Sequence, residues 1–405
     1  MIKQTFKPYN LKDVERNSSK ALFSVVSTFA GGGGSSTGYK NAGGKILLAN
    51  EFEPEAINTY KSNHPTTPVA AMNLRKITNR KRSRILKFFE GYGVKRGELD
   101  IFDGSPPCTT FSMASGGKSK HKIDKKNISH EGMTNSRIGM LILDYMKCVS
   151  ILQPKVFVVE NVVPVVKEDV FSHAVKGIRN NGYTVGYKKI LSSELGVAQG
   201  RARLIAIGVR NDIATKLKIQ SMPNKKNNIF VDLCTQDGID IFPDFQGESL
   251  VLKDVIQDLD IDEEERQILL NNCIRNSSYE LLQHMYKDPD KNLKISDIFP
   301  EWQDNKWGDF SLVRSSWNKP SPTLTCRGQI FGPSGVHHPT EDRKFTIAEM
   351  KRITSLPDDY KLTGTFNDKA RRIGNMVPSN MIKFIADSLY EKVLLPFNDS
   401  ELKAI

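Results

Sequence analysis

Over its first half this chain alternates short apolar runs with amphipathic stretches, and that alternation admits few folds. Strand-like runs fall at Leu22–Thr28, Ile46–Asn50, Asp100–Asp103, Val156–Glu160, Thr184–Ile190 and Leu204–Val209. Pro54–Ser62, Asn79–Phe89 and Ser136–Leu152 carry the helical period between them. Strand–helix repetition predicts an α/β fold, a mostly parallel sheet covered on both faces, with ligands at the carboxyl ends of its strands. Thr184–Ile190 and Leu204–Val209 have no clear helix between them and read as an antiparallel hairpin at one edge, which makes the sheet mixed. After Asn211 the pattern weakens. Residues 212–312 are rich in Asn, Asp, Lys and Gln, and the acidic run Asp258–Glu265 reads as a solvated helix face. Helical pattern returns at Phe345–Thr354 and Val377–Leu394. A chain of 405 residues exceeds what one hydrophobic core usually holds, so one large and one smaller domain are expected.

The formal net charge is +12, which favours a polyanionic partner, nucleic acid first. The start MIKQTFKPYNLKD lacks the apolar core of a signal peptide. No apolar run approaches the roughly 20 residues of a membrane span. The five cysteines are scattered, and none stands in metal-ligand spacing. That predicts free thiols in a reducing, cytoplasmic setting and no metal site. For four of the five the ordinary reading is a buried, inert thiol.

Two stretches point to chemistry. The first strand runs into FAGGGGSSTGYKNAGG, where glycines let the backbone fold tightly against a ligand. A plain flexible loop is the rival reading. The next strand ends in ANEFEP, which puts Glu51 about 20 residues on, where an acid can accept hydrogen bonds from ribose hydroxyls. Together they favour a nucleoside-containing cofactor without separating a dinucleotide from S-adenosylmethionine. The second stretch, DGSPPCTTFS, delivers Cys108 to the same sheet edge behind Pro106 and Pro107, whose fixed φ stiffens the approach. A thiol held this way suits a nucleophile, provided positive charge nearby stabilises the thiolate. Downstream, VFVVENV ends a strand with Glu160 and Asn161. GVAQGRARLIAIGV then offers Gln199, Arg201 and Arg203 at alternate positions, so on an extended segment Arg201 and Arg203 share a face suited to a phosphate or carbonyl oxygen. An exposed edge strand with solvated charge is the ordinary alternative for any one of these taken singly.

Taken in order, STFAGGGGSSTGY, NEFEP, GSPPCTTFS, VFVVENV, GVAQGRARLIAIG, NKPSPTLT and IGNMVPSN resemble the DNA (cytosine-5) methyltransferases of bacterial and phage type, over residues 27 to 380. The resemblance implies a Rossmann-like S-adenosylmethionine-dependent catalytic domain with a smaller target-recognition domain. It places the catalytic domain at residues 1–211, target recognition at 212–313, with bases read from loops within Glu265–Val313, and a C-terminal segment at 314–405 whose end, from about 365, returns to the catalytic domain.

By the same resemblance Cys108 is the nucleophile that adds to C6 of cytosine, and Glu160 the acid that protonates N3. Asn161 orients Glu160 and the proline loop containing Pro107. Arg203 contacts the base O2 and helps hold the thiolate, with Arg201 beside it. Phe29, Gly31 and Gly33 belong to the cofactor turn, Glu51 binds ribose and Phe52 packs on adenine. Asn73 stands where the family usually has Asp, followed by Leu74; Leu141 lies near the cofactor, and Asn375 belongs to the motif that completes its pocket. Thr109 replaces a usual Gln. Ser115–Gly132 matches the family's mobile loop that closes over DNA. No metal is required. The implied partner is double-stranded DNA, met by a monomer without membrane association, and a cognate restriction endonuclease is a possible companion outside this chain. A tRNA-methylating branch lacks support, because its Cys-Phe-Thr segment is absent. A silent DNA-binding relative would not need Cys108, Glu160 and Arg203, and a nicotinamide-dependent dehydrogenase leaves all three unexplained.

Overall fold

β1 (Phe23–Thr28) and β5 (Val156–Asn161) are buried almost throughout, and their position explains why. In the computed structural model, which describes residues 5–107, 140–244, 247–274, 279–285, 287–299, 312–326, 328–329 and 335–402, both lie inside one large sheet. The others are β2 (Gly44–Glu51), β3 (Val69–Ala71), β4 (Ile101–Gly104), β6 (Tyr183–Leu191), β7 (Ala202–Arg210), β8 (Ile219–Pro223) and β9 (Val231–Thr235). Their order is β3-β2-β1-β4-β5-β7-β6-β9-β8. The first five are parallel, β7 runs antiparallel to β5, and the rest pair antiparallel. Strands buried on both faces need apolar residues at successive positions, as in Val25–Val26 of β1 and VFVV of β5; the buried Ser27 and Thr28 that end β1 use their hydroxyls on Asp103 of β4.

Helices cover both faces: α1 (Leu11–Ser18), α2 (Gly34–Asn41), α3 (Pro54–Asn63), α4 (Arg75–Thr78), α5 (Arg82–Glu90), α6 (Leu141–Leu152) and α7 (Asp169–Asn180). One core joins Val25, Ile101, Val158 and Ile207 to Tyr39 of α2 and to Met381, Ile382 and Ile385 of the helix Ser379–Leu389. The other joins Val26, Phe102, Phe157 and Val159 to Ile85 and Phe89 of α5, Tyr145 and Val149 of α6 and Phe171 of α7. Successive strand residues therefore serve opposite cores, and burial of each large side chain is worth roughly 1.5–3 kcal/mol. A third core, with Leu252, Leu324, Phe345, Met350, Tyr360 and Ile373, holds the C-terminal part together. Beside it, β10 (Leu293–Lys294), β11 (Leu312–Arg314) and β12 (Gly335–His337) form a small sheet.

Several elements differ from the sequence reading. The β6–β7 hairpin is antiparallel but is not an edge, because β9 pairs with β6 and β8 follows it. The interval 212–313 accordingly begins inside the large sheet. β8 is mostly exposed and β9 mostly half-buried, with one buried residue each, which is why they read as irregular. Of the stretch Asn79–Phe89 only the part from Arg82 is helical, as α5; the separate short helix α4 ends just before it, at Thr78. Helix Ile347–Ile353 starts at Thr346, whose hydroxyl caps Glu349 N while the Glu349 carboxylate accepts from Thr346 N. Val377–Leu394 is a helix from Ser379 to Leu389 followed by one wider turn. The acidic run is only partly solvated: Glu265 accepts from Ile347 N, and Asp258 pairs with Arg352.

Candidate active site

Glu160 and Asn161 are the last residues of β5, opposite Ile205 and Leu204 of β7. Glu160 Oε1 meets Arg203 Nε at 2.8 Å, with side chains 8% and 15% exposed. Arg203 also donates to the Ala202 carbonyl at 2.7 Å. Asn161 uses both ends of its amide: Nδ2 donates to the Pro106 carbonyl at 3.1 Å and Oδ1 accepts from Val162 N at 2.8 Å. This ties the end of β5 to the proline turn that leaves β4. Pro107, half-buried, precedes Cys108; Cys108, Thr109 and the segment Ser115–Gly132 lie outside the described residues.

The two arginines part company. Arg203 turns to Glu160, whereas Arg201 is buried and donates to the carbonyls of Gly374 at 2.9 Å and Leu324 at 3.3 Å. Arg201 thus fastens the start of β7 to the C-terminal segment. Gly374 lets the backbone of Thr325 and Cys326 lie against its helix, because a Cβ there would stand 2.4 Å from Cys326 N. Gln199 is fully buried, and neither amide atom has a hydrogen-bond partner.

Asp103, two residues short of the level of Glu160 on the adjacent strand, went unrecognised in the sequence. It registers with Val158, so both carboxyls point to the same face. Ser27 and Tyr39 hydroxyls donate to it, each at 3.0 Å. Burial pushes its carboxyl up to about 7, helped by the charge of Glu160 and opposed by the two hydroxyls.

On the other side of β1 the glycine turn holds three residues at positive φ: Phe29 at 53°, Gly31 at 55° and Gly33 at 102°. Gly33 is the N-cap of α2. Glu51 Oε2 accepts from Gly31 N at 2.8 Å, and its Oε1 accepts from Phe52 N at 2.7 Å and Glu53 N at 3.0 Å. The C-terminal segment presses on this turn. A Cβ on Gly32 would stand 2.4 Å from Met376 Cε, one on Gly33 2.6 Å from Tyr360 Oη, and one on Gly34 2.4 Å from the Val377 carbonyl. By contrast, a Cβ on Gly31 would meet nothing within 4 Å. Gly31 therefore borders open space, while its neighbours are clamped. That is the form of a cradle for a nucleoside ligand, walled by backbone and offering Glu51. Arg372 closes the far side through Glu53 at 2.8 Å.

The remaining expected cofactor residues frame this edge. Phe52 is half-buried. Asn73 Oδ1 accepts from Arg75 N at 3.0 Å, and Leu74 is buried at the start of α4. Leu141 is the buried first residue of α6. Asn375 is exposed at the last position of the helix Phe366–Asn375. Among the described residues no group of acidic, His and Cys side chains could hold a metal, and no helix is long and apolar enough to cross a membrane.

The family model of C-5 cytosine-specific DNA methylases matches residues 23–391. The chain is 29% identical over 402 residues to the type II methyltransferase M.Sau96I of Staphylococcus aureus, covering 96% of this chain and 81% of that one. It is 27% identical over 378 residues to M.Eco47II of Escherichia coli, covering 91% and 78%. Two solved structures share the fold. One is described as a DNA modification methyltransferase encoded within an E. coli prophage, with TM-score 0.59, 21% identity and 92% and 99% coverage. The other is Spodoptera frugiperda DNMT2 in mutant form, with TM-score 0.57, 17% identity and 93% and 99% coverage. A match of this extent, on a sheet that sets the glycine cradle beside the Glu160–Arg203 pair, leaves one conclusion: the chain belongs to the C-5 cytosine-specific DNA methylase family and uses S-adenosylmethionine.

Proposed function

We propose that the residues gathered at this edge methylate C5 of a cytosine flipped out of duplex DNA, through a covalent adduct with Cys108. The observation that carries the reading is the Glu160–Arg203 pair at the end of β5, where the next residue, Asn161, holds the turn that leads into Cys108. Bound S-adenosylmethionine supplies an electrophilic methyl group on a sulfonium. Cys108 as thiolate adds to C6 while Glu160, which takes up a proton from solvent as the cytosine binds, delivers it to N3 and takes it back on elimination, so the ring carries an enamine rather than a full carbanion. Arg203 holds Glu160 in place and offers its remaining N–H groups to the base O2. After methyl transfer, loss of the C5 proton and elimination of the thiolate restore the aromatic base and the enzyme. A base inside a duplex is out of reach, so the target is extruded at a cost of a few kcal/mol.

Glu51 accepts the ribose hydroxyls by exchanging them for the Gly31 N–H it now holds, while Phe52, Asn73, Leu74 and Leu141 surround the adenine. Phe29, Gly31 and Gly33 shape the turn, and Asn375 completes the pocket. Pro107 stiffens the nucleophile's loop. Arg201 acts from behind, as a strut. Residues 1–211 carry the chemistry, loops within Glu265–Val313 read the target, and 314–405 return to the catalytic sheet. The protein works as a monomer in the cytoplasm, with or without a cognate endonuclease. Methyl-labelled S-adenosylmethionine offered with unmethylated duplex DNA and, separately, with transfer RNA tests the substrate. Label recovered as 5-methylcytosine in DNA supports this reading, and label recovered only in RNA overturns it.

A further inference from the structure

The connection from β3 to β4 carries an unusual charge. From Arg75 to Lys87 it holds seven basic residues and no acid. Arg75 pairs with Asp144 of α6 at 2.8 Å. Lys76, Arg80, Lys81, Arg82, Arg84 and Lys87 are all exposed, and among the described residues none forms an ion pair. Some cations on other helices do find acids one turn away, as in Arg16–Asp13, Arg266–Glu263 and Lys383–Asp387. What sets this stretch apart is the density of its cations, seven with no acid interleaved.

The local sequence also works against its own helix. α5 begins with Lys81 at the N-cap, making no capping hydrogen bond, and has no acid in its first turn. Cations at a helix N-terminus oppose the macrodipole. A sequence that breaks a local rule without local gain marks a functional surface. Arg80 lies over the Phe88 ring at 5.6 Å, and Arg80, Arg84, Lys87 and Phe88 line a shallow surface cleft. The place fits DNA. β3 is parallel to β2 and β1, so the chain emerges from it at the carboxyl edge, where Glu51 and Glu160 also stand. α4 and the start of α5 occupy that edge, on the cofactor side of the catalytic strands.

We propose that Lys76, Arg80, Lys81, Arg82, Arg84 and Lys87 form a second, sequence-independent contact for the phosphates of duplex DNA, outside the surface that reads the target bases. The proposal rests on duplex DNA being the substrate. Phosphate contacts set the salt dependence of binding, with a slope near −0.9 per contact. The test uses Arg80→Gln/Arg84→Gln/Lys87→Gln and a charge-matched control, Lys20→Gln/Lys45→Gln/Lys176→Gln, all at exposed positions. Unchanged binding of S-adenosylmethionine shows that each variant is folded. Affinity for a duplex of about 30 bp, roughly three turns, is measured from about 50 to about 200 mM salt. Over that range the wild type and the control are expected to lose about 40-fold more affinity than the patch variant, the equivalent of three contacts. A patch variant with the wild-type slope overturns the proposal. Equal flattening in both variants assigns the effect to net charge alone and overturns it too, as does a loss confined to binding of RNA. If the wild type transfers no methyl group to DNA, the substrate reading fails instead, whatever the slopes.

Discussion

Replacing Glu160 by Gln separates its two roles, proton donor and partner of Arg203. The amide has the same shape and keeps an acceptor for Arg203 Nε, now at 2.8 Å from the carboxylate. It loses the charge and the oxygen that can take up and deliver a proton. Removing one member of a fully buried ion pair costs about 3–5 kcal/mol. Here Arg203 is 15% exposed and keeps both a neutral acceptor and the Ala202 carbonyl, so we expect about 1–3 kcal/mol of lost stability. Catalysis falls further. A positioned general acid contributes about 10²–10⁴ in rate, or roughly 3–5 kcal/mol of barrier. Single-turnover methyl transfer at saturating S-adenosylmethionine reads the chemical step, and equilibrium unfolding reads the stability. Cofactor affinity stays unchanged, because Glu160 makes no contact with the glycine turn in the structure. A Glu160→Gln rate within threefold of wild type would refute proton delivery by this residue, and a rate loss fully accounted for by unfolding would reduce it to a strut.

Three further outcomes follow from the geometry. Gly31→Ala and Gly33→Ala both force a side chain into left-handed backbone, at about 1–2 kcal/mol each, but only Gly33→Ala also collides with Tyr360 and His64. Gly31→Ala should therefore weaken S-adenosylmethionine binding by tenfold or more with a small drop in melting temperature, and Gly33→Ala should chiefly destabilise; calorimetric titration and thermal melts tell them apart, and wild-type cofactor affinity in Gly31→Ala would contradict the cradle. Asp103 holds its proton in the folded state up to about pH 7, whereas an unfolded Asp releases it near 3.8, so it costs stability progressively as pH rises between those values, by up to about 4 kcal/mol. Melting curves of Asp103→Asn and wild type should diverge in favour of the variant across that window, and parallel curves would show that the carboxyl ionises freely. Arg201→Met removes charged hydrogen bonds to two buried carbonyls, worth about 1.5–3 kcal/mol each, and should lower urea stability by about 3–5 kcal/mol; a variant of normal stability with slowed methyl transfer would instead place Arg201 at the base.

The legible parts of this molecule are those where one residue type answers to one local constraint. β1, β4 and β5 are readable because strands buried on both faces carry apolar residues at successive positions, Val25–Val26, Ile101–Phe102 and Val156–Val159. β8 and β9 lie at a polar edge, where no such constraint acts. Glu160 and Arg203 were both singled out in the sequence, and the structure pairs them, since each ends or begins a strand of the same antiparallel ladder. The division between Arg201 and Arg203 was not readable. Alternation along an extended segment puts them on one face, but Arg201 precedes β7 and answers to carbonyls 123 and 173 residues away, and a carbonyl has no signature in sequence. Asp103 was visible as a strand residue and invisible as a protonated carboxyl, because burial and the hydroxyls of Ser27 and Tyr39 arrive only with the fold. The basic run through α4 and α5 is equally plain in the sequence, yet only the fold shows that, among the described residues, Arg75 alone of its seven cations forms an ion pair.

The most direct test of the account is covalent trapping. The protein is mixed with S-adenosylmethionine and duplex DNA carrying 5-fluorocytosine in random contexts, denatured, and analysed by mass spectrometry. Fluorine cannot depart as a cation, so elimination stalls after methyl transfer. The account predicts a denaturation-resistant protein–DNA adduct on the peptide containing Cys108, lost in Cys108→Ala, with the trapped DNA revealing the target sequence. No adduct from protein that demonstrably binds the cofactor would contradict it.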